Sequence, residues 1–151
     1  MAIRLETSQR RGIENHQDSE LTRLDLNWAR DIASSYPNAQ PRTLPSATYN
    51  CHGLTFASRR TRVIKSAALA VILHDDEYHE VQLSAAKAGD IVVYYSDTGD
   101  PNHSGIIVEA GPPLAVPIVC SKWGHAGEFV HGLLDCPPIY GPITRIFRCT
   151  R

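Results

Sequence analysis

Cys51 and His103 are the residues of this sequence whose types and positions could support nucleophilic chemistry. A cysteine is an effective nucleophile only as the thiolate, which the unpaired N–H groups and the dipole of a helix N-terminus favour. Of the four cysteines, only Cys51 is predicted to lie at such a terminus, because Asn50 is a good N-cap and Leu54 continues a helical spacing. The sequence therefore predicts Cys51 as the candidate nucleophile.

His103 is the candidate general base. It stands at the start of a predicted strand, directly after an irregular turn over residues 96–102, where a side chain can reach across to a helix terminus. Its imidazole would take the thiol proton and later supply it to a leaving group, and a third polar group would orient the ring. Spacing alone fits equally well with a buried structural Cys51 and a turn residue at position 103.

Motifs for other kinds of site do not occur in the sequence. A Gly-x-Ser-x-Gly elbow, a phosphate loop and a dinucleotide fingerprint are all missing. The polar stretch over 74–80 lacks the His-Glu-x-x-His spacing and is typical of a solvated turn. We therefore expect no metal and no organic cofactor.

The cysteines show no CxxC spacing, so free thiols are expected, with a Cys136–Cys149 disulfide as the alternative for a secreted protein.

Predicted helices come first along the sequence and predicted strands follow, and these elements must position the two candidate residues. Proline at position 37 ends the first predicted helix, and three prolines make 37–46 an extended loop that leads to Cys51. This order predicts an α+β domain, with N-terminal helices packed on a small antiparallel β-sheet whose central strands form a meander. One predicted helix covers about 24–36, a second begins at 51, and a third covers about 63–73. The predicted strands cover 91–95, 104–108 and 116–121, with shorter stretches near 128–131 and 144–148.

Length and charge limit the classes of function. A chain of 151 residues fits one domain, which we assign to 23–151, after a polar lead-in over 1–22 that is expected to be mobile or peripherally attached. With 15 basic against 16 acidic residues, binding of nucleic acid through a positive field is disfavoured. No apolar stretch suits a signal or a membrane span, so a cytoplasmic protein without membrane contact is expected, with export that needs no cleaved signal as the alternative.

Two blocks of the sequence resemble the NlpC/P60 family of papain-type cysteine hydrolases. Asn-Cys-His-Gly-Leu over 50–54 resembles the family's Asp-Cys-Ser-Gly-Phe nucleophile motif. Gly-Asp-Ile-Val-Val-Tyr-Tyr over 89–95 and His-Ser-Gly-Ile-Ile-Val over 103–108 resemble its Gly-Asp-Leu-Val-Phe-Phe and His-Val-Gly-Ile strands. The resemblance covers 49–122. It implies a compact papain-like fold with Cys51 as nucleophile, His103 as base, and a backbone N–H of Cys51 as an oxyanion-hole donor.

The third member of the implied site is less well matched. The family places His, Asn or Gln on the strand after the histidine strand, and none of these occurs over 116–122. Ser-Lys-Trp-Gly over 121–124 is similar to the Asn-Ser-Trp-Gly of papain-like proteases, which would make Ser121 the orienting residue and Trp123 a shield for the site. The alternatives for the third residue are Lys122, His125 and His131.

The residues around Cys51 carry secondary expectations. Tyr49 could donate to an oxyanion or contact substrate, although aromatic residues near a helix start more often belong to the core. Asn50 is expected to cap the helix rather than to donate to an oxyanion. His52 is expected to point away from the sulfur, because adjacent helical residues differ by about 100° around the axis.

The resemblance implies a cysteine peptidase or amidase that cleaves an amide bond through a thioester. The implied substrate is a peptide or a peptidoglycan stem-peptide fragment. One alternative is a deamidating or acyl-transfer effector with the same Cys–His pair, whose partner would be a target or immunity protein. The other is an inactive papain-fold binding protein, because a fold alone does not secure a function.

Overall fold

The computed structural model describes residues 1–18, 20–112 and 115–150. Over these residues the chain is a mixed α/β protein with a seven-stranded antiparallel sheet and a few helices, which confirms the coarse fold class. The helices are α1 (Arg23–Ser35), α2 (Cys51–Phe56) and α3 (Ala67–Asp75), and the strands are β1 (Gln40–Pro41), β2 (Tyr78–Val81), β3 (Ile91–Tyr95), β4 (Pro101–Glu109), β5 (Ile118–Lys122), β6 (Glu128–Gly132) and β7 (Ile143–Cys149).

The strands lie in the order β1-β6-β5-β4-β3-β7-β2. β3, β4, β5 and β6 are consecutive neighbours, so the predicted meander is confirmed and one strand longer than expected. The chain then returns to place β7 beside β3. The turn predicted over 111–113 lies partly outside the described residues. In the described part of the chain, no helix is both long and apolar enough to cross a membrane.

Both faces of the sheet are covered. Since strand residues alternate between faces, Val92 and Tyr94 lie on one face, in a cluster with Ala29 of α1. Ile91 and Val93 lie on the other face and pack with Leu69 of α3. Helix α2 packs on this second face, across β4 and β5.

Both α1 and α2 have side-chain N-caps, of which the sequence analysis predicted the one at Asn50. Thr22 forms a capping box with Asp25, and its backbone N–H and hydroxyl lower the pKa of Asp25 to about 2. Asn50 caps α2 by accepting a hydrogen bond from the backbone N–H of Gly53 at 2.9 Å, which confirms its role as N-cap. Asn50 also donates to the carbonyl of Val63 at 2.8 Å. This contact explains why α3 begins at Ala67, four residues later than predicted, since residue 63 is used to hold α2.

Two strands were missed by the sequence analysis. β1 lies in the proline-rich segment expected to be a loop, and it pairs with β6 over only two residues. β2 follows the predicted turn and pairs with β7 at the edge of the sheet, where the side chains of His79 and Glu80 are exposed. A polar edge strand lacks the alternating apolar pattern on which strand prediction depends.

The segment before α1 is attached to the domain. Arg11 Nε donates to Asp75 of α3 at 2.6 Å, and the hydroxyl of Thr7 donates to the same carboxylate at 2.7 Å. Ile13 lies in the core against Val63 and Leu69. Of the two expectations for the lead-in, mobile or peripherally attached, these contacts support attachment.

We predict that Gly53→Ala destabilises the protein, although alanine is normally favoured inside a helix. A Cβ at position 53 would overlap the carbonyl oxygen of Thr61, so α2 must shift. The expected loss is about 1–3 kcal/mol of unfolding free energy. Urea titration measures it, with Gly12→Ala as the control because a Cβ there meets no atom within 4 Å. Equal stability of the two variants would contradict the tight contact between α2 and residue 61.

Candidate active site

Helix α2 brings the sulfur of Cys51 to the beginning of β4. Cys51 is the first residue of the helix, directly after the Asn50 cap. Leu54, one turn further along, is buried against Cys120 of β5, so the helix is pressed onto the sheet. Cys51 itself is only partly buried. The thiol therefore lies at the N-terminus of α2, where the residue is partly exposed and the sulfur is packed against neighbouring groups.

Two imidazoles act on this thiol. Burial raises the pKa of Cys51, but the charges of His52 and His103, and hydrogen bonds from both rings, lower it by more. The net pKa lies well below the ordinary value for a thiol. The sulfur is thus suited to exist as a thiolate near neutral pH, which is the nucleophilic form.

His103 is held by aromatic packing. Its side chain is buried, and its ring stacks on Tyr140 with centroids 3.7 Å apart and planes only 6° from parallel. Tyr94 lies on β3 opposite His103, at 5.3 Å between ring centroids. Within the described residues, the buried Nε2 atom of His103 has no hydrogen-bond partner. Stacking, rather than a third polar residue, therefore fixes the plane of the ring.

His52 also belongs to the site, and the expectation that it points away from the sulfur is wrong. The first turn of α2 lies against β4, where Nδ1 of the buried His52 is 2.8 Å from the hydroxyl oxygen of Ser104. Burial lowers the pKa of His52, but the charge of Cys51 and hydrogen bonds to Cys51 and to the carbonyl of Pro101 raise it by more. A second histidine directly after the nucleophile was the signal available in the sequence.

Ser121, the predicted orienting residue, makes its hydrogen bonds elsewhere. Its hydroxyl is 2.7 Å from Nε2 of His131 and accepts from the indole N–H of Trp123 at 3.0 Å. His131 Nδ1 donates to the carbonyl of Gly132 at 2.7 Å, so its Nε2 accepts the Ser121 proton. Burial lowers the pKa of His131 to about 4, consistent with a neutral ring. No hydrogen bond joins Ser121 or His131 to His103.

Trp123 and His125 serve other contacts. Trp123 has no exposed surface and stacks on Phe129 with ring centroids 4.2 Å apart, so it is a core residue and does not line the surface. His125 Nδ1 is 2.8 Å from a carboxylate oxygen of Asp25, which ties the turn after β5 to α1.

Lys122 lies beneath the site. Its buried ammonium donates to the carbonyls of Ser46 at 2.7 Å and Gly124 at 2.5 Å. It also lies over the ring of Tyr49, 4.8 Å from the centroid. Burial lowers the pKa of Lys122 to about 8, while the charges of Cys51 and Glu128 raise it. Lys122 thus contributes positive charge to the floor of the site and makes no hydrogen bond to His103.

Tyr49 is committed to a buried carboxylate. Its hydroxyl donates to Glu128 at 2.5 Å, and Arg59 holds the same carboxylate with bonds of 2.7 and 3.0 Å. Burial and the bond to Glu128 raise the pKa of Tyr49 to about 12. Because its only proton is given to Glu128, Tyr49 has none to donate to an oxyanion in this arrangement.

The described part of the chain offers no cluster of three or more His, Cys, Asp or Glu residues that could hold a metal. All four cysteines are free thiols. Comparison of the chain with protein-family models, with curated proteins and with solved structures finds no match. Any statement about activity must therefore be argued from the residues and geometry described above.

We predict that Ser121→Ala destabilises the protein without slowing alkylation of Cys51. Removing the hydroxyl leaves two buried ring nitrogens, on His131 and Trp123, without partners, at a cost of about 1–3 kcal/mol for each. Thermal unfolding and iodoacetamide labelling measure the two effects, with the exposed Ser34→Ala as the control. A folded Ser121→Ala protein with much slower Cys51 labelling would instead support the orienting role expected from the sequence.

Proposed function

We propose that the protein is a cysteine hydrolase, a peptidase or amidase of the papain-like NlpC/P60 type. Cys51 is the nucleophile and His103 the general base. The observation that carries the proposal is the position of the Cys51 sulfur, at a helix N-terminus and within reach of two imidazoles. Helix dipole, unpaired N–H groups and nearby positive charge all favour the thiolate there.

The geometry supports a thioester mechanism. The thiolate attacks the carbonyl carbon of an amide and forms the C–S bond, while negative charge moves to the carbonyl oxygen. The backbone N–H of Cys51 and the open first turn of α2 are placed to stabilise that charge. His103 gives the proton that it took from the Cys51 thiol to the leaving nitrogen as the C–N bond breaks. It then takes a proton from the water that attacks the thioester, the C–S bond breaks, and the acid leaves while Cys51 returns to the thiolate.

A groove between α3 and the β3–β4 hairpin is the surface we propose for a peptide substrate. Cys51, His52 and His103 do not line it, and its link to them is Pro101, whose carbonyl accepts from His52. Its floor is apolar, and its rim carries charges of both signs, on Asp100 and Arg145. Mixed surfaces of this kind fit peptide segments, including peptidoglycan stem peptides, better than a purely apolar acyl chain.

One observation favours an inactive papain-like binding protein as the second candidate. The Nε2 atom of His103 has no partner in the described residues, so the orienting hydrogen bond of papain-type enzymes is missing. If stacking on Tyr140 does not hold the ring well enough, proton transfer fails even though the thiol stays reactive.

We predict that Cys51→Ala abolishes hydrolysis of blocked peptide amides or stem peptides. His103→Ala should lower kcat/KM by about 10²–10⁴-fold, the usual contribution of a general base. His79→Ala is the matched control, because His79 is an exposed histidine on β2. Release of new amino termini measures the activity. Hydrolysis that survives Cys51→Ala would contradict the proposal, and transfer of the acyl group to an added amine in place of water would indicate an acyl-transfer enzyme.

A further inference from the structure

We propose that His52 is a fixed cationic partner of the Cys51 thiolate, held in place by a hydrogen-bond chain through Ser104 and Thr55, while His103 alone moves protons. The inference deepens the proposed function and rests on it, since it assigns two roles to the two imidazoles of the same site. His52 is then a positioning residue that maintains charge, and His103 a catalytic one.

The direction of the chain follows from its last acceptor. The carbonyl of Cys51 can only accept, so the hydroxyl of Thr55 donates to it at 2.9 Å. The oxygen of Thr55 accepts from the hydroxyl of Ser104, also at 2.9 Å. Each hydroxyl has one proton, so the Ser104 oxygen must accept from Nδ1 of His52, 2.8 Å away. Nδ1 of His52 is therefore protonated.

The other partners of the His52 ring are the carbonyl of Pro101, which can only accept, and the sulfur of Cys51, which accepts as the thiolate. The sulfur of Cys51 and the carbonyl of Pro101 both favour the protonated ring, against the effect of burial. A ring that donates from both nitrogens is an imidazolium. His103 differs, because its buried Nε2 has no acceptor among the described residues. The surroundings of His52 thus favour its charged form, whereas His103 is held by ring stacking and has no such acceptor at Nε2 in the described part of the chain.

The other titratable groups that face Cys51 come from β5 and from the turn over Pro138–Tyr140. Lys122 of β5 is cationic and is tied to two backbone carbonyls, and Tyr140 is a phenol whose pKa is raised by burial and by the charge of Cys51. Helix α2 has no acidic residue in its first turn. The effect of His52 on the thiol must be separated from the effects of these groups and of His103, which is the residue before Ser104.

The test is the pH profile of alkylation. The full-length protein is labelled with iodoacetamide from pH 4 to 9, and the rate at Cys51 is followed by mass spectrometry in wild type, His52→Gln, Ser104→Ala and His103→Ala. Both imidazoles lower the pKa of Cys51, so we expect both variants to raise the midpoint, His52→Gln by more than His103→Ala. Each unit of rise slows labelling about tenfold on the acid side. Ser104→Ala should raise the midpoint by less, and it keeps the inference testable if His52→Gln does not fold.

The inference is overturned if His52→Gln and Ser104→Ala leave the midpoint unchanged while His103→Ala raises it toward about 8.5, the value of a free thiol. It is also overturned, together with the proposed function, if wild-type Cys51 reacts no faster than Cys120, Cys136 and Cys149. A low, His52-dependent midpoint with no hydrolysis of any peptide would support the inference and contradict the proposed function alone.

A second readout needs no substitution. Nitrogen NMR of the histidine rings should show His52 doubly protonated at neutral pH. Alkylation of Cys51 removes the negative charge that favours this state, so the pKa of His52 should fall. A His52 ring that is neutral in the unmodified protein, or whose pKa does not respond to alkylation, would contradict the inference.

Discussion

The contact between the first turn of α2 and the beginning of β4 is the constraint on which the site depends. Asn50 caps the helix and at the same time bonds to the backbone of Val63, so the helix start is tied to the segment that follows it. Gly53 leaves no room between α2 and the carbonyl of Thr61. Ser104 joins the helix to β4 through His52 and Thr55. Any displacement of α2 would separate the Cys51 sulfur from His103 on β4, and His52 from Ser104.

The floor below this contact contains buried charges. Lys122 and Glu128 lie directly opposite each other on β5 and β6, and neither has exposed surface. Buried charges are costly unless they are fully bonded, and here Glu128 is held by Arg59 and Tyr49. Such a network adds little net stability compared with apolar packing. It does fix positive charge and hydrogen-bond geometry beneath the thiol, which an apolar floor would not.

Local sequence signals predicted much of the fold. The cap at Asn50, the end of α1 before Pro37, and the central strands follow from propensity, capping and periodicity, and the structure confirms them. β2 could not be found in this way, because its polar side chains suit an exposed edge and its pairing with β7 is long-range. The same holds for the lead-in, whose attachment depends on Asp75, far along the chain.

The site was predicted less completely. Cys51 and His103 could be chosen from their neighbours in sequence. The partners of Ser121 could not, because they depend on the register between β5 and β6. The NlpC/P60 motifs that the sequence resembles have serine at the position of His52 and valine at that of Ser104. In this chain His52 and Ser104 contact each other across α2 and β4, a pairing visible only once the helix is placed on the sheet.

Intact-mass spectrometry of an acid-quenched reaction tests the central claim most directly. The protein is mixed with an activated ester of a blocked amino acid, and the acyl group is located by peptide mapping. We predict one acyl group on Cys51, absent in Cys51→Ala and accumulating in His103→Ala, because His103 activates the water that releases it. Acylation of other cysteines at the same rate, or none at Cys51, would contradict the nucleophilic role of this residue.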